Sequence, residues 1–367
     1  MNILITNHHL INYAGSELHT FDLCTALKNM GHKVIVATFF YDSPMRNLFF
    51  KQDIPVINFL NPENDDFSNI GFDLIIAHHF PLLTEILLER KITCKKLICH
   101  SLSPIIHLEE FISFNQDYCV YSVHSERNKL NMQEKGFKDV HVFPNSVPSY
   151  YFSFNSPKIK RKNKSITIVS NHLCEEIREA IRILRKKKVN VKVYGMGYKF
   201  DYVTPEKLIE HDAIVTIGRT VQYGLALGIP VYCYDHFGGA GWITPDNVEI
   251  ESQFNFSGRN HKTKKFPDTI AMEILNGSLK TDLKALRDFS IANFNLEENL
   301  KCLIEKTTEK LDFNLDKALE NKASIHNFSN LYKEVLRKKH GSIRFNRLLN
   351  LLRKLYYKIE KRGYLCN

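Results

Sequence analysis

The sequence predicts an α/β protein made of two doubly wound, parallel-sheet halves in series, followed by a basic helical tail. Three observations carry that reading. Short apolar, β-rich runs alternate with helical patterns from the N-terminus to about residue 310. The alternation is interrupted once by the polar stretch "PKIKRKNKS" (157–165) and then restarts. Finally, the formal charge of +10 is concentrated at the end, where residues 331–362 hold eleven Lys and Arg against two Glu. The expected divisions are 1–155, 156–312 and 313–367.

Each element follows from its residues. "NILIT" is a strand, and Leu18, Phe21, Leu23, Ala26 and Leu27 recur at helical spacing until Gly31, before the strand "KVIVATF". Parallel strands covered on both faces read as unbroken apolar runs, and "PVINF", "FDLIIAHHF", "KKLICHS", "DYCVYSVHSE" and "VHVFPNSV" continue the series around the helix "LLTEILLER". The second half opens with "SITIVS" and a helix carrying Ile177, Ala180, Ile181 and Leu184 on one face. "VNVKVYG", "DAIVTIG" and "IPVYCYD" are its further strands. In the tail, Phe345, Leu348, Leu349, Leu352, Tyr356 and Ile359 describe a basic amphipathic helix over 343–362. It suits either an anionic membrane surface or packing against its own protein.

Composition narrows the class. Hydrophobic residues at 44% and charged residues at 25% suit a globular protein. The eight cysteines form no CxxC pair, and several lie inside apolar runs. That pattern argues against a zinc site or a disulfide framework and for reduced thiols. The start "MNILITNHHL" lacks the basic and apolar regions of a signal peptide, and no run reaches the ~18–20 apolar residues of a membrane span. A cytoplasmic protein is expected, with the tail as a means of peripheral attachment to the inner face of the plasma membrane. Despite the charge, no nucleic-acid-binding module is recognisable, so no nucleic-acid partner is expected. No GxGxxG follows a strand, which disfavours a dehydrogenase.

Open parallel sheets bind ligands outside the carboxyl ends of their strands. In the second half those ends carry Ser170-Asn171-His172, Gly195 and Gly197, Gly218-Arg219-Thr220, and Asp235-His236 followed by Gly238-Gly239. Thr220 is a candidate N-cap whose helix would offer free N–H groups to an anion, and Arg219 a planar fork for phosphate oxygens. In the first half, Gly15, Ser16 and Glu17 occupy the first strand-to-helix turn. His79, His100, Ser101 and Asn145 close later strands. Histidines at several carboxyl-side ends suggest a cleft, but there is no HExxH and no paired-cysteine spacing, so no metal site is expected.

"AGSELHTFDLCTALKNMGHKVIVAT" resembles the opening of GT-B glycosyltransferases, usually Gly-Gly-x-Glu, a helix, then Gly-His-x-Val. "FDLIIAHH", "LICHS", "YSVHSE" and "VFPNSV" follow in the order of that group's later landmarks, and "DAIVTIGRTVQYGLALGIPVYCYD" is similar to its donor-binding segment. Over roughly residues 1–310 the chain resembles glycosyltransferase family four most. The resemblance implies two Rossmann-like halves facing across a cleft. It also implies a nucleoside diphosphate sugar as co-substrate with no further cofactor, and a glycan or lipid-linked acceptor in polysaccharide or lipopolysaccharide assembly. His100 would lie near the donor sugar as the catalytic candidate. Gly15, Ser170, Asn171, His172, Gly195, Gly197, Gly218, Arg219, Thr220, Tyr223, Asp235, His236, Gly238 and Gly239 would serve the donor, and Ser16, Glu17, His79, Ser101 and Asn145 the acceptor.

Two departures are plain. The paired glutamates of many retaining members correspond here to Val215 and Tyr223, and the usual Arg and Lys after the first strand of the second half are missing from "VSNHLCEEIREA". A divergent subgroup is expected, with diphosphate neutralisation falling to Arg219 and the helix start at Thr220. The alternatives left open are a sugar-nucleotide epimerase of the same fold and a basic nucleic-acid-binding protein.

Overall fold

A computed structural model describes residues 1–60, 70–103, 106–154, 165–195, 197–261, 263–277 and 282–319. The 343–362 tail and most of the 157–165 stretch lie outside them.

Among the described residues, fourteen strands form two main sheets and one small pair. The first sheet contains β1 (Asn2–Thr6), β3 (Lys33–Thr38), β5 (Val56–Asn58), β6 (Gly71–Ala77), β7 (Thr93–Ser101), β8 (Val120–Val123) and β9 (Val140–Val142). Their order is β5-β3-β1-β6-β7-β8-β9, with every pair parallel. β2 (His9–Leu10) and β4 (Phe40–Tyr41) make a separate two-residue pair. The second sheet runs β11 (Asn190–Tyr194), β10 (Ser165–Val169), β12 (Ala213–Thr216), β13 (Val231–Asp235) and β14 (Gly238–Trp242). Only β14 is antiparallel.

The apolar runs become strands because helices cover both faces of each sheet. Ile3 and Ile5 face one cluster with Leu23, Leu27 and Val36, while Leu4 faces another with Ile75 and Leu97. The order in which the parallel strands are added reverses between β1 and β6 in the first sheet and between β10 and β12 in the second, and a threonine sutures each reversal. Thr6 Oγ1 donates to the His78 carbonyl at 2.7 Å and accepts from the His78 N–H, and Thr216 Oγ1 donates to the Val169 carbonyl at 2.8 Å. One expected helix differs in form: "LLTEILLER" is an α-helical turn at Phe80–Thr84 that continues as a π-helix over Glu85–Glu89.

The chain crosses back to the first half before residue 312. Asn295 ends the helix Leu283–Phe294 and caps the helix Leu296–Glu305 through its side chain. Leu296, Leu300 and Leu303 then bury beside Ile3, Ile5 and Leu27. Farther on, Lys310 pairs with Asp139 at 2.6 Å and the Phe313 N–H donates to the Lys95 carbonyl. Among the described residues, no helix is long and apolar enough to cross a membrane, and the cysteines from Cys24 to Cys302 are all free thiols.

Candidate functional site

The carboxyl ends of the two sheets face each other and touch. Polar contacts join them, among them Asn171 Nδ2 to the Tyr13 carbonyl at 3.3 Å, Asn145 Nδ2 to Asn255 Oδ1 at 2.9 Å, and Arg219 to Asp22 at 2.5 Å. Tyr13 also packs its ring against Phe200 and Tyr202 across the same seam.

Arg219 is not the open phosphate fork expected from the sequence. Its guanidinium is buried, with one nitrogen on Asp22 Oδ2 and Nε donating to the Tyr223 hydroxyl at 2.6 Å. That hydroxyl in turn donates to Asp22 at 2.6 Å. The physical reason is charge: an arginine on a core-facing helical turn requires a carboxylate partner, and Asp22 of the first half supplies it. Tyr223, stacked on Tyr151 at 4.7 Å, completes the buried cluster instead of facing a donor. Thr220 is not the N-cap either. The helix is Arg219–Ala226, capped by Gly218 at φ 60°, whose N–H is already taken by the Phe256 carbonyl.

His100 is also enclosed. Its Nδ1 lies 2.9 Å from Ser122 Oγ, and its ring stacks on His19 and meets His78 and Phe143 edge-on. Burial holds His19, His78 and His100 below the ordinary imidazole range, His78 at about 4. Neutral rings packed in this way do not readily gain a proton, which weighs against His100 as a proton donor. Among the described residues, no group of three or more His, Cys, Asp and Glu is placed to hold a metal.

The other first-half candidates divide. Gly15 is the exposed first residue of the helix Gly15–Asn29, with open space around it. The Ser16 carbonyl is taken by Asn7 and Thr20. Glu17 points inward, and its Oε1 accepts the Ile11 and Asn12 N–H groups at 2.6 and 2.8 Å. It shapes the loop rather than offering a carboxylate to an acceptor. His79 sits at φ 68°, accepts the His8 N–H and lies 3.6 Å from Glu109 Oε1. Alongside His100 and Phe111, it lines a small pocket. Ser101 Oγ donates to the Ser103 carbonyl, and Asn145 faces the second half.

In the second half, Ser170 and Asp235 line a small pocket with Thr216 and Tyr234 at the β10–β12 reversal. His172 is exposed, its N–H held by Ser170 Oγ. Gly195, at φ 137°, is required because a Cβ would fall 1.8 Å from the Ser170 carbonyl; Gly197, at φ 86°, has open surroundings. Asp235 pairs with half-exposed His236 at 3.0 Å. Gly238-Gly239 is not a ligand loop but the start of β14, after a two-residue turn at His236-Phe237. A Cβ on Gly239 would meet the Cys233 carbonyl at 2.1 Å, so glycine there serves hairpin packing.

Sequence reasoning missed Asp22 and passed over the role of Arg259. Asp22 had a signal, a charge between the apolar residues Phe21 and Leu23 of the helix Gly15–Asn29. Arg259, in "FNFSGR", projects beside the β13–β14 turn with its guanidinium 4.7 Å from the Phe237 ring.

No family model and no curated protein matches the chain. Solved structures do. A crystal structure of HepE from Anabaena in complex with UDP and glucose matches with a TM-score of 0.54 at 15% identity, covering 84% of this chain and 99% of that one. HepE in complex with UDP matches with a TM-score of 0.52 at 13% identity, over 84% and 100%. A glycosyltransferase from Rickettsia africae reaches 0.49 at 14% identity, over 84% and 98%. At these identities the likeness is one of fold, and that fold is GT-B: two Rossmann-like halves with the carboxyl ends of their sheets turned toward each other.

Proposed function

We propose that the protein is a glycosyltransferase that takes a sugar from a nucleoside diphosphate donor and passes it to a glycan or lipid-linked acceptor in surface-polysaccharide or lipopolysaccharide assembly. The observation that supports this most is the opposition of the two sheet ends, in a fold shared with a protein crystallised with UDP and glucose. Transfer requires stabilisation of the departing diphosphate and an oxocarbenium-like sugar aligned with the acceptor hydroxyl. On this reading the donor lies along the second sheet's rim at Ser170–His172 and Asp235–His236. The acceptor enters beside Gly15 and His79. Asp235 fixes the His236 ring through Nδ1, leaving the exposed edge to meet the donor. The basic segment 343–362 suits docking on the inner face of an anionic membrane, where a lipid-linked acceptor would reside.

A screen of UDP-, GDP-, ADP- and CMP-sugars by thermal shift is expected to raise the melting temperature for one base series. Consumption of that donor with release of the free nucleotide, a nucleoside diphosphate from a UDP-, GDP- or ADP-sugar and CMP from a CMP-sugar, then marks transfer. Conversion of one sugar nucleotide into another, with the diphosphate bond to sugar retained, would instead indicate an epimerase. No shift with any of the four series overturns the proposal.

A further inference from the structure

A donor diphosphate carries about two negative charges, and among the described residues the rim of the second half contains few cations able to meet them. Arg219 is neutralised by Asp22. Lys264 pairs with Glu176 at 2.8 Å, Lys265 with Glu273 at 2.7 Å, and His261 with Glu251 at 2.8 Å. Arg259 differs: among the described residues its guanidinium has no carboxylate partner, only the face of Phe237. An aromatic face orients a guanidinium without neutralising it, leaving the N–H fork available to an anion.

The segment carrying Arg259 is held firmly in place. Asn255 and Phe256 occupy successive left-handed conformations at φ 53° and 51°, unusual for non-glycine residues and tolerated only where surrounding contacts enforce them. Those contacts are present. The Phe256 carbonyl accepts the Gly218 N–H, Asn255 receives Asn145 of the first half, and Glu251 accepts from Asn260. Gly258 lies so close to the Gly238 carbonyl that a Cβ would approach it to 2.6 Å. The segment touches the first half through Asn255 and Asn145. Burial holds His124, just past the end of β8, below the ordinary imidazole range, and the Arg259 charge acts in the same direction. A segment fixed in this way places a guanidinium without a carboxylate partner among the described residues beside the turn at the carboxyl end of β13.

We infer that Arg259, in place of Arg219, is the residue that grips the donor diphosphate, with Phe237 as its backing. The inference rests on the glycosyltransferase reading and assigns the charge contact that reading requires. Titration calorimetry on the full-length protein, with UDP and separately with uridine, tests it. Arg259→Ala is expected to weaken UDP binding roughly tenfold to a hundredfold and to leave uridine affinity unchanged. Arg259→Lys, which keeps the charge but loses the fork, should fall between. Because the side chain is exposed, the alanine variant should melt at the wild-type temperature. Equal UDP affinity in wild type and Arg259→Ala overturns the assignment and leaves the transferase reading standing. So does equal weakening of UDP and uridine, which signals a distorted pocket rather than a lost phosphate contact. A wild-type protein that binds none of UDP, GDP, ADP or a CMP-sugar overturns the transferase reading and this assignment with it.

Discussion

Asp22→Ala is expected to destabilise the protein by about 3–5 kcal/mol, because it leaves the Arg219 guanidinium charged, buried and unpaired at the seam between the two halves. The loss extends beyond the ion pair. The Tyr223 hydroxyl donates to the same carboxylate oxygen, so one truncation strands two donors. The pair itself is not a large net gain. Burial raises the Asp22 carboxyl above its ordinary range, against the opposing pull of Arg219 and Tyr223, which shows desolvation offsetting much of the attraction. The concerted apolar replacement Asp22→Leu, Arg219→Met and Tyr223→Phe should therefore restore most of the stability lost by Asp22→Ala alone. Urea unfolding of the three proteins measures both effects. A loss below about 1 kcal/mol for Asp22→Ala would mean that the buried ion pair does not form in solution.

Glu17 should govern a pH dependence of opposite sign to ordinary acid denaturation. Burial pushes its carboxyl from 4.5 up to about 7, despite the backbone N–H groups it accepts. Among the described residues, its other oxygen, Oε2, has no hydrogen-bond partner. Between pH 4.5 and 7 the folded state then holds a proton that the unfolded state releases, so this residue's contribution falls as pH rises, by roughly 3 kcal/mol across the window. Glu17→Gln keeps the oxygen that accepts the Ile11 and Asn12 N–H groups and removes the titration. Relative to wild type, the glutamine variant should be little changed at pH 4.5 and more stable above pH 7. The buried histidines act oppositely. Their depressed pKa values make the fold lose stability as pH drops below about 6.5, and His9 and His78 fall to about 4. The difference between the variant and wild type at each pH cancels them. A flat difference across that window would show that Glu17 is ionised throughout.

Much of the architecture is legible in single residues. The apolar runs over Asn2–Thr6, Gly71–Ala77 and Val231–Asp235 read as covered strands, and all three occupy sheet interiors. The turns at Ser170, His79 and Asp235 fall at carboxyl ends because strand polarity in a parallel sheet follows from chain order. Burial of individual polar groups was much less legible. Arg219 at a helix start looks the same in sequence whether it faces solvent or a carboxylate 197 residues away. His100 reads as a catalytic histidine at a strand end, yet its neighbours His19 and His78 come from a helix and from just past the end of another strand. The Gly238-Gly239 pair reads as a loop, but a two-residue turn folds it back as an antiparallel strand.

Local spacing and polarity by themselves determined the two doubly wound halves and which loops lie at the ligand-facing ends, since both depend on neighbours along the chain. Which charged side chains at those ends are neutralised, and which remain available to a ligand, was decided only by the meeting of the halves. Desolvation and ion pairing are set by groups far apart in sequence, so Asp22 could silence Arg219 while Arg259, backed by an aromatic ring, kept its charge exposed.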